Sequence, residues 1–576
     1  MKQDKIDKIL TKASTAIKTK KFSQAVTSLK KLNDSISLRS YRSLMLEANA
    51  LSELKKNKQL LQTLYKLNQL ELTKEQKVIV LGYIGCVLRD LTFSGEATQD
   101  EAISFLEQSV KLDSSVNNAH NQLILCELYQ ETKRFKESEL LANNLIKWSA
   151  YFSHAQYQLI LIARSQRDKE LVVSRTKHLS NHFKQIDDKY IEEAIESLNF
   201  VGAEDDAYLL LQKAQSHLGS KNWMKYPEAV YWYGQKEYEK VTNLITDTVI
   251  STTTCPKKLK KLYSLRGNAF DKLKLYDDAF QDFSTLGALK EKIYKNKKVT
   301  DYAAVYEKLN LTSLPKTCQK VPKYTPIFMV GFPRSGTTLL DSVIDTQKNA
   351  VTLSETATLF TTICAFKKLN KTYPNDLLTL KDSEINFLRN VYYDFVETLN
   401  LKINDETLVI DKLPHNTVHL PLILTLFPEA KIIFSIRHPL DVCLSNLQQN
   451  FSINIENSHL TTLRSCVRRY RQIFTLFESY QENLKPTVYF VKYEDLIDNF
   501  TEEVNKIFKY LNIDNNERYD NFHKHAQTQI ITTSSNKQVT QALYANAKYR
   551  WKHYQKHLLP FASELQKQMN KFGYEI

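Results

Sequence analysis

The segment PIFMVGFPRSGTTLLDSVID, Pro326–Asp345, constrains the fold of this chain more than any other. It opens with a short apolar run, passes through a loop bounded by Gly331 and Gly336, and continues as helical pattern from near Gly336. A fully apolar strand that runs straight into a helix needs cover on both faces, which is the condition of a parallel sheet with helices on either side. Three more short, β-branched or aromatic runs follow: Leu408–Ile410, Lys431–Ile436 and Thr487–Val491, with helical pattern between them. Ligands of such sheets gather at the carboxyl ends of the strands. The loop 331–336 lies at one of those ends, where backbone N–H groups and a helix start make an anion site.

The rest of the chain obeys a different rule. With 576 residues it exceeds what one core can bury, and only 11 glycines and 13 prolines interrupt it. From Met1 to about residue 290 apolar residues recur at three- and four-residue intervals. Within that stretch an aromatic recurs with a mostly small residue three positions on, and another small residue precedes the second by twelve. The instances are Phe22/Ala25 with Ala13, Phe135/Ser138 with Cys126, Tyr238/Val241 with Ala229, and Tyr276/Ala279 with Gly267; Leu29, Ala142, Ile245 and Phe283 follow four residues later. Small residues let two antiparallel helices approach, and the aromatic fills the turn. This resembles the tetratricopeptide repeat, whose period is about 34 residues. The expected architecture is therefore an α-solenoid (tetratricopeptide-like) over residues 1–290, a linker over 291–323, and an α/β P-loop-like parallel-sheet domain over 324–576. A generic helical domain is the plainer reading of the first part. Either way its work is binding, through a concave groove suited to an extended peptide or a partner.

The spacing Gly331-x4-Gly336 is that of a nucleotide phosphate loop, yet Thr337 stands where such a loop needs its lysine. Nucleoside triphosphate hydrolysis is thereby disfavoured, and Arg334, inside the loop, supplies the cation instead. The plainer alternative is a Gly-Thr-rich turn without a ligand. A second segment, KIIFSIRHPLDVCLSN, Lys431–Asn446, ends a strand at Ile436 and projects Arg437 from its carboxyl end. Pro439 suits the first turn of a helix. Ser445 falls about two helical turns after Arg437, so the two converge on one phosphate, Arg as a fork and Ser as a donor.

The PRSGTT loop and the Arg-x7-Ser pair, in this order, resemble the sulfotransferases that use 3′-phosphoadenosine 5′-phosphosulfate (PAPS). The likeness is strongest to the protein-tyrosine sulfotransferases and to bacterial sulfotransferases fused to tetratricopeptide repeats. The resemblance covers residues 324–576 and implies that Arg334, Ser335, Gly336, Thr337 and Thr338 hold the 5′-phosphosulfate and Arg437 and Ser445 the 3′-phosphate. It implies further that Tyr493, in VKYEDLI, lies near the nucleotide, and that Arg550 and Lys552, in RWKHY, contact phosphate. Glu355, in VTLSETATLF, is the implied general base; its plainer reading is a helix-start carboxylate capped by Ser354. Lys412, in VIDKLPHN, is the implied cation on the bridging oxygen, with Arg334 sharing the sulfuryl charge, and His415 is the rival base. Ser535, or Ser534 beside it, is the implied stabiliser of the transition state. No metal enters this scheme. The acceptor implied first is a protein tyrosine held by the repeat array. A glycan, a small molecule, or a repeat scaffold whose transferase has lost activity stand as alternatives.

The net charge of +15 suits an anionic ligand or an acidic protein substrate. Nucleic acid is not expected, because the basic run Lys257, Lys258, Lys260, Lys261 comes with no recognition motif and reads as a solvated helix face. Seven scattered cysteines with no CxxC pair point to reduced thiols in a cytosol-like compartment, and no His/Cys cluster has zinc spacing. MKQDKIDKIL lacks the apolar core of a secretory signal, and the longest apolar run, Val78–Leu88, is short for a membrane span and flanked by Lys77 and Arg89. A cytoplasmic protein without a membrane anchor is the expectation.

Overall fold

The computed structural model describes residues 3–35, 39–92, 97–166, 168–183, 186–294, 300–314, 322–451, 456–513, 519, 522–523 and 548–576. It falls into two compact units, Met1–Lys236 and Glu237–Ile576.

In the first unit the helices, from Gln3–Lys18 and Phe22–Asn33 to Glu204–Leu218 and Lys225–Gly234, each pack on the next one along the chain. The aromatic/small signature marks the turns. Lys20 and Lys133 adopt left-handed backbone (φ 58° and 62°) and end one helix, and Phe22 and Phe135 begin the next. Ala13 and Ala25 are completely buried, and the Ser138 hydroxyl donates to the Cys126 carbonyl at 2.7 Å across the helix pair.

The second unit begins earlier than the boundary expected at 290. It takes in the helix pair α1 (Pro256–Lys272) and α2 (Tyr276–Tyr294), which carries the clearest copy of the repeat signature. The reason is packing. Ala279 and Phe283 of α2 share a core with Phe328, Val330, Phe434 and Tyr470 of the sheet domain. The Lys290 ammonium donates to the Gln449 carbonyl at 2.9 Å, and a Cβ on Gly287 would lie 2.4 Å from the Thr461 carbonyl oxygen.

The sheet holds β1 (Ile327–Gly331), β2 (Ala350–Ser354), β3 (Leu408–Lys412), β4 (Lys431–Ile436) and β5 (Thr487–Lys492), with α3 (Thr337–Ile344) between β1 and β2. All pairings are parallel, in the order β2-β3-β1-β4-β5. Four strands match the four apolar runs; β2 is a fifth. Helices α4 (Pro439–Gln448), α5 (Leu463–Leu484) and α6 (Tyr493–Asp498) follow β4 and β5. β1 shows why its run is uninterrupted: Phe328 and Val330 enter one core, Ile327 and Met329 the other. Register brings the strand ends level, with Ser354 opposite Lys412, Gly331 opposite Ser435, and Ile436 opposite Lys492. Among the described residues no helix is long and apolar enough to cross a membrane.

Candidate active site

The loop after β1 is held from several sides. The Thr417 hydroxyl accepts from the Gly331 N–H at 2.9 Å and donates to the Gly331 carbonyl at 2.7 Å. The Ser435 hydroxyl donates to the Ser335 carbonyl and the Asn446 amide to the Pro333 carbonyl, each at 2.9 Å, and Arg437 Nη1 donates to the Arg334 carbonyl at 3.3 Å. Loop carbonyls are thus tied to the scaffold by side chains from three other segments. Arg334 and Gly336 both have left-handed backbone, φ 74° and 101°, and Gly336 caps α3. A Cβ on Gly336 would lie 2.5 Å from the Tyr493 ring, so the close cover by that ring requires glycine. The Ser335 hydroxyl is buried and has no hydrogen-bond partner among the described residues. An orphan donor inside a loop at a helix start fits an anionic oxygen.

At the β2/β3 end four polar groups meet. Lys412, wholly buried, places Nζ 3.1 Å from Glu355 Oε1 and 3.6 Å from Asp341 Oδ2. The Ser354 hydroxyl donates to the same Asp341 oxygen at 2.7 Å. Glu355 has φ 53° and its N–H donates to the Lys412 carbonyl at 2.8 Å, so the residue turns out of the sheet at the strand end. The next helix begins at Thr358 after Ala357, so Ser354 caps nothing and the helix-start reading of Glu355 falls away. Burial pushes the Asp341 carboxyl above the ordinary carboxylate range, and the Lys412 ammonium opposes that rise. An ammonium in so dry a place needs carboxylate partners, and the chain supplies two. His415, the rival base, sits on the turn after β3 with Nε2 3.4 Å from Asn457 Oδ1.

At the β4/β5 end Arg437 follows β4 as expected, with its guanidinium 4.7 Å from the Tyr493 ring centroid and 3.8 Å from Asp441 Oδ2. Pro439 occupies the first turn of α4. Arg334 Nε donates to Ser445 Oγ at 3.0 Å. Arg334, only 8% exposed, thus reaches the helix that follows Arg437, and Lys412 is the cation beside Glu355.

Arg550 and Lys552, the implied phosphate contacts, each meet another group of the protein. Arg550 Nη2 binds both oxygens of Asp271 on α1, at 2.6 and 2.7 Å, because that buried carboxylate needs a cation. Lys552 Nζ stands 5.4 Å over the Tyr549 ring. Ser534 and Ser535 lie outside the described residues. Four contributors went unread in the sequence: Asp341, Thr417, Ser435 and Asn446. Only Asp341 carried a signal, as the one charged residue in the helix TTLLDSVI. Among the described residues no group of three or more His, Cys, Asp and Glu side chains could hold a metal ion.

Residues 326–517, which contain this sheet edge from the loop through Tyr493, match the model of the Sulfotransferase family, so the C-terminal part of the chain carries a sulfotransferase-family domain. Over 399 residues the chain is 24% identical to an uncharacterized protein of Aquifex aeolicus (strain VF5), covering 66% of this chain and 50% of that protein; it thus spans about half the length of that curated relative. Among solved structures, a tetratricopeptide repeat protein from Parabacteroides merdae ATCC 43184 aligns at 12% identity and a TM-score of 0.34, covering 45% of this chain and 98% of that one. The sulfotransferase domain from the curacin biosynthetic pathway aligns at 18% identity and a TM-score of 0.33, covering 45% and 100%.

Proposed function

We propose that this protein transfers a sulfuryl group from PAPS to a hydroxyl acceptor, with a protein tyrosine as the first acceptor class and the helical array of the first unit holding the acceptor protein. The observation that carries the proposal is the order of groups along one sheet edge. Reading across β2-β3-β1-β4-β5, the strand ends bear Glu355, Lys412, the 331–336 loop, Arg437 and Tyr493. A base, a buried cation, an anion-binding loop and a second cationic station stand side by side, as transfer between a hydroxyl and a doubly phosphorylated nucleotide requires.

PAPS supplies an activated sulfuryl group whose leaving group is a phosphate. Glu355 takes the proton of the acceptor hydroxyl as its oxygen forms the new bond to sulfur. Lys412 neutralises the phosphate oxygen that keeps the electron pair of the broken S–O bond, and the product nucleotide is 3′,5′-adenosine bisphosphate. Asp341 and Ser354 hold Lys412 at that position through the contacts above. Arg334, Ser335, Gly336, Thr337 and Thr338 hold the 5′-phosphosulfate, and Arg437 and Ser445 hold the 3′-phosphate. A reducing, cytoplasmic setting is supported by six free thiols among the described residues, at Cys86, Cys126, Cys255, Cys364, Cys443 and Cys466.

Incubation with labelled PAPS and a panel of tyrosine peptides, sugars and phenols tests the reading. Label on tyrosine peptides supports it; label on sugars or phenols alone moves the acceptor class. Absence of transfer to any acceptor, with nucleotide still bound, leaves the scaffold reading in its place.

A further inference from the structure

Building on the donor site of the preceding section, we propose that Asp271, on the helix pair that resembles a repeat, is a positioning residue for nucleotide binding: it fixes the turn Arg550–Tyr554, which in turn fixes Asp441 and Arg437.

One carboxylate collects three bonds from that turn. Arg550 Nη2 reaches its two oxygens at 2.6 and 2.7 Å, and the Tyr554 hydroxyl donates to Oδ1 at 2.6 Å. The Asp271 side chain is only 8% exposed, so these bonds are made out of water, where charge-assisted contacts are strong. Between Arg550 and Tyr554 the chain presents the Trp551 N–H to Asp441 Oδ1 at 2.8 Å. The other oxygen of Asp441 lies 3.8 Å from Arg437 Nη2. The Trp551 ring also stacks on His438, the residue after Arg437, with centroids 5.1 Å apart and planes at 18°. One short turn is therefore anchored to α1 on one side and braces the arginine station on the other. Neighbouring contacts repeat the seam: Lys556 and His557 reach Asp277 at 2.8 and 2.6 Å, and His553 stacks on Tyr276.

The geometry gives Arg550, basic and near the site, a carboxylate partner. It also gives the helix pair a task in the transferase: by holding the turn, Asp271 keeps Asp441 in place against Arg437.

Calorimetry on the full chain with 3′,5′-adenosine bisphosphate tests this. Asp271→Ala is expected to weaken binding about tenfold, the loss typical of a broken charge-assisted contact, while the acceptor KM stays unchanged. Asp271→Glu restores part of the affinity. In an Asp441→Ala background Asp271→Ala costs nothing further, an outcome that a merely structural bridge would not give. Folded Asp271→Ala protein that binds within twofold of the parent overturns the proposal while leaving the donor reading intact. A parent protein that takes up no nucleotide contradicts the donor reading itself. Should Asp271→Ala not fold, Tyr554→Phe removes one hydroxyl only: a twofold to threefold loss supports the role, and unchanged affinity contradicts it.

Discussion

The helix pairs before Lys236 and the pair Pro256–Tyr294 obey the same local code and meet different ends. Both close on small residues, and both end a helix with a left-handed lysine, Lys20 and Lys133 in the first unit and Lys274 in the second. In the first unit the apolar faces of the helices are covered by neighbouring helices. In the second, α2 buries Ala279 and Phe283 against a β-sheet domain, and Lys290 reaches the carbonyl at the end of the helix that carries Ser445. The contrast teaches that a repeat signature specifies a hairpin and leaves open what the hairpin packs against. That is decided by residues at distant positions, Asp271 with Arg550 and Gly287 with Thr461.

The hardest test of the contrast is truncation. A chain starting at residue 237 is expected to unfold cooperatively and to bind nucleotide. One starting at residue 324 loses the cover of its core and is expected to show neither, by thermal unfolding and calorimetry. A stable, nucleotide-binding 324–576 fragment would break the comparison.

Next in size is Glu355→Gln, expected to lower kcat by about 10²–10⁴-fold in a transfer assay with nucleotide affinity unchanged, because a base acts on the proton and not on the donor. Full turnover would remove Glu355 from the mechanism. Arg437→Ala is expected to weaken 3′,5′-adenosine bisphosphate binding by about ten- to a hundredfold, read by the same calorimetry.

The smallest effect concerns Lys290. Burial pulls its ammonium down from 10.5 to about 8. With a folded pKa below the unfolded one, the unfolded chain binds more protons between those values, so stability rises with pH across that window. Lys290→Met removes the desolvated charge. Its melting temperature is expected to exceed the parent's at pH 7 by a few degrees, about what one or two kcal/mol moves, and the gap is expected to close towards pH 10. A gap that is constant with pH would contradict the buried-ammonium account.

Much of this was legible in the sequence, and what was not has identifiable causes. β1, β3 and β4 lie inside the sheet and read as short runs rich in apolar and β-branched residues. β2 is an edge strand whose Val351, Thr352 and Ser354 are only half-buried, so AVTLS gave no comparable run. Glu355 was reached through the family resemblance, yet its setting depends on that unread strand. Asp341 went unread because its partner Lys412 arrives on another strand. Arg550 was basic and in the right part of the chain, but its partner Asp271 lies on a helix that the sequence assigned to the other domain. Local pattern reports the strand, the loop and the helix; which charges meet is settled by topology.

If this sheet edge binds a doubly phosphorylated adenosine, calorimetry of the intact protein against 3′,5′-adenosine bisphosphate, with ATP as the comparison ligand, will show it. Saturable one-site binding of the bisphosphate is expected, with much weaker binding of ATP. Well-folded protein that takes up no bisphosphate, or that prefers ATP, would contradict the donor reading.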